Sequence, residues 1–205
     1  LLNVMPWVQV KPNIESLRTS RVSLRRALST AVMAGDETVR AEGASAGTPQ
    51  MGTTLTMALV LFPFLYVAHV GDTRCYLLEA GRLRCLTTDH NLAQKYVESS
   101  RVPVTPPHQL QHILWNALGA GIDRPIPDVN KVEISAGAVL LLCSDGLNKH
   151  VSDETIEGIL SERTNCAARA AKLIDLANAG GGTDNITAIV AEARAGVDSG
   201  VVSHR

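Results

Sequence analysis

The chain has 205 residues, of which 45% are hydrophobic and 19% are charged. This length and composition predict one globular domain with a buried core, and they exclude a disordered or fibrous protein. The 19 Lys and Arg residues nearly balance the 20 Asp and Glu residues, which leaves a formal net charge of −1. Because no excess of positive charge is available to hold a polyanion, nucleic acid is not expected as a partner.

The first predicted element is a helix over residues 20–40. Leu24, Leu28, Ala31 and Val32 recur there at helical spacing and form one apolar face. Residues 43–52 are rich in Gly and predict a loop.

An uncharged stretch follows over residues 51–70, and its length approaches the roughly 20 residues of a membrane span. Pro63 interrupts this stretch, and polar Thr, Tyr and His side chains are scattered through it. These features favour two buried strands, 53–62 and 64–70, over a membrane helix. The sequence therefore predicts no membrane span.

Two further strands, 73–78 and 83–87, are predicted to join at a hairpin turn over residues 79–82. That turn would place Cys75 opposite Cys85 on adjacent strands, either as two half-buried thiols or as a redox pair. The chain has four cysteines, without metal-binding spacing and without a dense framework. We therefore expect reduced thiols and a cytoplasmic protein.

The middle of the chain, residues 89–129, predicts an insertion over the sheet that begins with a short helix over 91–99. Strands 131–134 and 138–143 are expected beyond it. The second of these strands is continuously apolar, which indicates burial on both faces.

The C-terminal part predicts two helices followed by a last strand. Ser152 is the expected N-cap of the first helix, the second helix is predicted over 165–180, and the strand over 186–191. A single domain is therefore expected over residues 1–193, with a C-terminal tail over 194–205.

Three aspartates, Asp72, Asp145 and Asp184, lie where predicted strands begin or end. Buried carboxylates are costly unless they are paired or bind a cation, so several together predict a metal site. Because no Cys or His cluster accompanies them, oxygen ligation of Mg²⁺ or Mn²⁺ is favoured over zinc. Gly71 and Gly146 beside them let the backbone turn sharply and let a ligand approach closely.

Five segments in chain order resemble the signature segments of metal-dependent protein phosphatases of type 2C. They are Gly52-Thr53-Thr54, Ala68-His69-Val70-Gly71-Asp72-Thr73-Arg74, Leu86-Thr87-Thr88-Asp89-His90, Leu141-Leu142-Cys143-Ser144-Asp145-Gly146-Leu147 and Gly182-Thr183-Asp184-Asn185-Ile186-Thr187. The resemblance extends over about residues 20–193, and residues 105–119 resemble the flap of the bacterial members.

This resemblance implies an α+β fold of two stacked antiparallel β-sheets flanked by helices. It implies hydrolysis of phosphoserine and phosphothreonine in phosphoproteins by a metal-activated water, with two Mn²⁺ or Mg²⁺ ions and, more loosely, a third. Matched position by position, Asp145 and Asp184 would be ligands of the second metal, and Asp72 would hold the third metal together with Asp145. The supporting residues would be Gly71, Gly146, Asn185 and Arg74.

The chain also departs from the family pattern. Members carry an N-terminal phosphate-binding segment and an Asp-Gly-x-Gly-Gly segment that bridges two metals, and neither occurs here. Two alternatives follow: the intact protein extends upstream of Leu1, or the chain is a pseudophosphatase that binds a kinase or regulator without catalysis. The leucine at position 1 favours the first alternative, in which an antagonistic Ser/Thr kinase is the expected partner.

The other polar residues near these segments have structural interpretations. Arg74 is predicted to form an ion pair with Asp72. Four histidines are predicted not to be ligands: His69 in the core, His90 in structural hydrogen bonding beside Asp89, and His108 and His112 on the surface of the flap.

Overall fold

The structure is a computed structural model that describes residues 21–100, 102–119 and 124–194. Its helices are α1 (Arg21–Ser45), α2 (Leu92–Ser99), α3 (Asp145–Asn148), α4 (Asp153–Leu160) and α5 (Cys166–Ala179), with a 3₁₀ helix at His108–His112. Its strands are β1 (Gly52–Thr53), β2 (Leu55–Leu61), β3 (Phe64–Val70), β4 (Arg74–Glu79), β5 (Arg82–Cys85), β6 (Leu118–Gly119), β7 (Asp128–Glu133), β8 (Val139–Cys143) and β9 (Ala188–Glu192). The predicted α+β class is confirmed, while the predicted boundary between residues 193 and 194 stays a prediction.

Two antiparallel sheets form the centre of the fold. One has the strand order β2-β3-β7 and the other β5-β4-β8-β9, while the short β1 pairs with β6. Leu65 and Val67 of β3 pack in one buried cluster with Cys75 and Leu77 of β4. Because strands of different sheets share this cluster, the two sheets are stacked face to face, as the resemblance implied.

Helices cover the outer faces of both sheets. Val70 of β3 packs with Val32 of α1 on one side of the molecule. On the other side, Leu141 of β8 packs with Ile156 of α4, while Leu142 turns to the cluster between the sheets. The protein therefore has four layers, and β8 is packed on both faces, as predicted.

The first helix is longer than predicted, since α1 continues to Ser45 through the position where a loop was expected. Gly43 is buried there, and a Cβ atom on it would lie 2.9 Å from the carbonyl oxygen of Thr48. Glycine is thus needed because the following turn folds back onto the helix. Of the predicted apolar face, Leu24 and Val32 are buried, whereas Ala31 is exposed.

The hairpin between β4 and β5 forms as predicted, with positive φ angles of 50° at Ala80 and 74° at Gly81. Its register pairs Cys85 with Tyr76, so the expected pairing of Cys85 with Cys75 is wrong by one residue. Because successive side chains on a strand point to opposite faces, this shift separates the two thiols. Cys75 is buried, Cys85 is exposed, and all four cysteines are free.

The apolar stretch around Pro63 folds into the antiparallel hairpin of β2 and β3, in agreement with the prediction. Among the residues that the structure describes, no helix combines the length and the apolar character that crossing a membrane requires.

The predicted cap Ser152 is present, and Asn165 caps the second predicted helix. Ser152 accepts a hydrogen bond from the Thr155 amide at the start of α4, and Asn165 accepts one from the Ala168 amide at the start of α5. These contacts satisfy amide donors that a helix start leaves without partners.

Candidate functional site

The three predicted aspartates line one cavity of about 870 Å³ at one end of the second sheet. Asp72 precedes β4, Asp145 follows β8 and Asp184 precedes β9. Both β4 and β9 pair antiparallel with β8, so the start of β4, the end of β8 and the start of β9 meet at the same end of the sheet. Strand order therefore brings together carboxylates that are distant in the sequence, with Asp72 and Asp184 more than 100 residues apart.

The loops that carry Asp145 and Asp184 touch through their backbones. A Cβ atom on Gly146 would lie 2.5 Å from the carbonyl oxygen of Asn185. The Ser144 hydroxyl donates to that same oxygen at 2.9 Å and accepts from the Thr187 amide at 2.9 Å. Gly146 and Asn185, which the resemblance gave as supporting residues, thus lie where they fix the distance between the two loops.

A lysine that the sequence analysis did not single out lies between these two aspartates. The Lys149 ammonium is 2.5 Å from Asp145 Oδ2 and 2.8 Å from Asp184 Oδ2. Partial burial lowers the pKa of Lys149, but the hydrogen bonds to both carboxylates outweigh this and raise it above its ordinary value. The Lys149 hydrogen bond, together with the Asn185 amide, lowers the pKa of Asp184. The two carboxylates therefore share one positive charge.

Asp72 is half-buried in the same cavity. Burial raises its pKa to about 6, and the negative charges of Asp145 and Asp89 add to this effect. The contributions of Asp145 and Asp89 to this shift mean that negative charge is crowded at this point of the cavity. A bound cation would relieve that crowding.

Arg74 pairs with Asp89, so its predicted ion pair with Asp72 is wrong. Arg74 Nε donates to Asp89 Oδ1 and Nη2 to Asp89 Oδ2, each at 2.8 Å, and Nη1 donates to the Tyr76 hydroxyl at 2.9 Å. The Leu86 amide donates to the Cys75 carbonyl, which continues the β4–β5 pairing and brings the chain at Asp89 alongside the start of β4. The guanidinium is therefore fully engaged in a bidentate pair.

Gly71 adopts a conformation that favours glycine, with a φ angle of +112°. A Cβ atom there would lie 2.2 Å from Thr54 Cγ2. Its amide donates to His90 Nδ1 at 3.1 Å, so His90 Nε2 carries the proton that is donated to Asp128 Oδ2 at 3.1 Å. His90 is thus structural, as predicted, although its carboxylate partner is Asp128 rather than Asp89.

His69 lies in the core, as predicted, and only 1% of it is exposed. Its Nε2 donates to the Thr88 carbonyl at 3.1 Å, and its Nδ1 accepts from the Thr56 hydroxyl at 2.8 Å. Burial, followed by the nearby His90, lowers the pKa of His69 to about 4. This histidine is therefore neutral at physiological pH, and both of its ring nitrogens are occupied by hydrogen bonds within the protein.

Three histidines line the cavity around the aspartates. His108 and His112 are exposed on the 3₁₀ helix, as predicted, with ring centroids 5.1 Å apart. His150 accepts from the Thr183 amide at 3.3 Å and hydrogen-bonds the Thr183 hydroxyl at 2.8 Å. The sequence analysis did not single out His150, although it lies only five residues after Asp145.

The carboxylate and amide oxygens of this cavity are of the kind that binds a hard divalent cation. Asp145 and Asp184 are already arranged around a positive charge, and the buried amide oxygen of Asn148 has no hydrogen-bond partner. Mg²⁺ is commonly held by one or two carboxylates and completes its shell with water. Among the described residues, no group of three or more His, Cys, Asp or Glu side chains is arranged to hold a metal. The protein therefore offers a partial set of oxygen ligands.

The chain is similar in sequence to known proteins. The family model for protein phosphatase 2C matches residues 3–105. The Mycobacterium tuberculosis serine/threonine protein phosphatase PstP is 39% identical over 171 residues, which are 80% of this chain and 32% of PstP. The Listeria monocytogenes serine/threonine phosphatase stp is 36% identical over 144 residues, which are 69% of this chain and 57% of stp. The chain thus spans about a third of the first relative and somewhat more than half of the second.

Solved structures show the same fold. The crystal structure of M. tuberculosis PstP/Ppp superposes with a TM-score of 0.73 at 37% identity, covering 82% of this chain and 71% of that one. The catalytic domain of PstP in complex with two manganese ions superposes with a TM-score of 0.70 at 37% identity, covering 81% and 70% of the two chains.

Proposed function

The chain belongs to the protein phosphatase 2C family, and on that premise we propose that it hydrolyses phosphoserine and phosphothreonine esters in phosphoproteins, with Mn²⁺ or Mg²⁺ as cofactor. The observation that carries this proposal is that Asp145 and Asp184 both contact one positive charge, the Lys149 ammonium, in a cavity that Asp72 also lines. The two manganese ions bound to the similar PstP catalytic domain support the choice of cofactor.

Each aspartate has a role in the proposal. Asp145 and Asp184 would hold the second of the two metals, and Asp72 would hold the looser third metal together with Asp145. When bound, the cations supply an acidified water and neutralise charge on the phosphoryl oxygens. Gly146 lets the two ligand loops approach each other, and Arg74 balances the charge of Asp89, so that the uncompensated negative charge is concentrated where the cations bind.

A covalent phosphocysteine mechanism at Cys143 does not fit the structure. Cys143, the cysteine closest in sequence to Asp145, is buried, and burial raises its pKa to about 12. A thiol with such a pKa is not a thiolate at neutral pH and is a poor nucleophile. Water is therefore the proposed attacking group.

The substrate would enter beside the flap segment, where the exposed His108 and His112 line the open side of the cavity. We propose a phosphoprotein substrate, an antagonistic Ser/Thr kinase that produces it, and a cytoplasmic location. The four free thiols support that location, since disulfides are rare in the cytoplasm.

A second candidate function is favoured by one observation, the Lys149 ammonium between Asp145 and Asp184. If that ammonium permanently replaced a metal, the domain would be a pseudophosphatase that binds a kinase or a regulator without hydrolysis. The two candidates differ in whether a divalent cation enters the cavity.

The test of the proposed function is phosphate release from a phosphothreonine peptide by the purified full-length protein, with Mn²⁺ and with excess chelator. We expect Mn²⁺-dependent release, and a loss of roughly 100-fold or more in Asp145→Asn because a ligand of the cation is removed. The matched control is Asp175→Asn, an exposed position of α5 outside the cavity, which should retain the wild-type rate. Absence of release from the wild type would favour the pseudophosphatase, and full activity of Asp145→Asn would overturn the assignment of this ligand.

A further inference from the structure

Lys149 lines the cavity, and the phosphatase mechanism gives it no role. We propose that its ammonium is an internal counter-cation, which occupies the position of a divalent ion between Asp145 and Asp184 and has to leave before that ion binds. Lys149 would thereby lower the metal affinity of the protein. The inference rests on the proposed function, because it assumes that the cavity binds a divalent cation.

The first support is that the ammonium and the proposed cation use the same two carboxylates. Lys149 Nζ contacts Oδ2 of Asp145 at 2.5 Å and Oδ2 of Asp184 at 2.8 Å. A divalent ion held by both carboxylates would lie close to the ammonium, and two like charges repel strongly at such separations. The ammonium and the ion are therefore alternative occupants of one position.

The second support is the charge balance, which argues against Lys149 as a phosphate anchor. One positive charge faces two carboxylates, and Asp72 adds further negative charge to the same cavity. Arg74, the other strongly basic side chain lining the cavity, is engaged with Asp89. A phosphate group approaching Lys149 in this state would meet a surplus of negative charge, so the ammonium serves the carboxylates and not an anion.

The third support is that the ammonium has a way out. The Lys149 side chain is 24% exposed, and that of Asp184 is 43% exposed, so the ion pair lies at the open side of the cavity. Lysine carries its charge on a flexible four-carbon stem and is readily hydrated. Lys149 lies just after α3 in helical backbone geometry, so a side-chain rotation suffices to release the carboxylates. Exchange of the ammonium for an ion therefore needs no rearrangement of the fold.

The experiment is a calorimetric Mn²⁺ titration of the full-length protein and its variants, which reports binding without turnover. We expect Lys149→Met to bind Mn²⁺ about tenfold more tightly than the wild type, because a competing charge is removed while the length of the side chain is kept. Lys149→Arg keeps the positive charge and should remain within about threefold of the wild type. The matched control is Lys172→Met, which removes an exposed ion pair with Glu162 outside the cavity and should leave Mn²⁺ affinity unchanged.

The outcomes separate this inference from the function on which it rests. Tighter binding by Lys149→Met alone supports the counter-cation. Lys149→Gln is measured as a second neutral variant. If folded Lys149→Met and Lys149→Gln bind Mn²⁺ equally to the wild type or more weakly, the counter-cation is overturned while the metal site stands. Absence of Mn²⁺ binding in the wild type and in every variant overturns the metal site itself, and the counter-cation with it.

Discussion

Gly146 and Asn185 are in such close contact that a Cβ atom on Gly146 would lie 2.5 Å from the Asn185 carbonyl oxygen. Each of these residues directly follows one of the proposed ligands, Asp145 or Asp184. Backbone atoms cannot yield as the end of a flexible side chain does, so a side chain at position 146 has to separate the two loops. The distance between the two carboxylates therefore depends on the absence of a side chain at this position.

Gly146→Ala is expected to weaken Mn²⁺ binding by about tenfold or more, and to destabilise the fold by about 1–3 kcal/mol through overpacking. Calorimetric titration and urea denaturation measure the two effects. The control is Gly158→Ala in α4, where a Cβ atom would meet nothing within 4 Å. That change should stabilise the helix by about 0.5–1 kcal/mol and leave Mn²⁺ binding unchanged. Equal Mn²⁺ affinities in Gly146→Ala and the wild type would contradict the role of this contact.

The Arg74–Asp89 pair should contribute more to stability than an ordinary surface ion pair. Its side chains are 27% and 14% exposed and are joined by two hydrogen bonds of 2.8 Å. A double-mutant cycle with Arg74→Met and Asp89→Asn is expected to give a coupling energy above about 1 kcal/mol in urea unfolding.

The comparison for this cycle is the Arg124–Glu37 pair, whose side chains are 71% and 63% exposed. Water screens this pair, so the same type of cycle should give less than about 0.5 kcal/mol. Similar coupling energies for the two pairs would show that Arg74 is not held as described.

His69 should make the fold sensitive to mild acid. Its pKa is lowered to about 4 in the folded protein, whereas an unfolded histidine titrates near 6.5. Between these values the unfolded chain binds more protons, so the contribution of His69 is complete above pH 6.5 and is lost as the pH falls. Between pH 7.5 and pH 5 the loss should be about 2 kcal/mol of unfolding free energy.

Urea denaturation of the wild type and His69→Gln at both pH values isolates the contribution of His69 to the unfolding free energy, since other groups titrate in both proteins. The variant should lose about 2 kcal/mol less than the wild type over this interval. His108→Gln, at an exposed position, serves as the control and should follow the wild type. Parallel pH dependences of His69→Gln and the wild type would mean that His69 is not buried in its neutral form.

The sequence predicted the features that depend on local signals. Strand β3 was predicted at residues 64–70, and the structure has it at Phe64–Val70, because Pro63 and Gly71 limit an apolar run. The cap Ser152 was also predictable, since a capping side chain and its amide partner are three residues apart. The aspartates were singled out because each lies at the end of a strand.

Contacts between distant segments escaped prediction. Lys149 and Asp184 are 35 residues apart, and only the pairing of β8 with β9 brings them together. Arg74 pairs with Asp89 across 15 residues, although Asp72 is much closer in sequence. The predicted register of the β4–β5 hairpin was also wrong, and its shift of one residue was enough to separate Cys75 from Cys85.

The central claim is that Asp145 and Asp184 together hold a divalent cation, and a crystal grown with Mn²⁺ tests it most directly. An anomalous difference map at the manganese edge should show a peak in contact with both carboxylates, with the Lys149 ammonium moved away from them. A fully occupied Lys149 between the two aspartates, without an anomalous peak in the cavity at millimolar Mn²⁺, would contradict the claim.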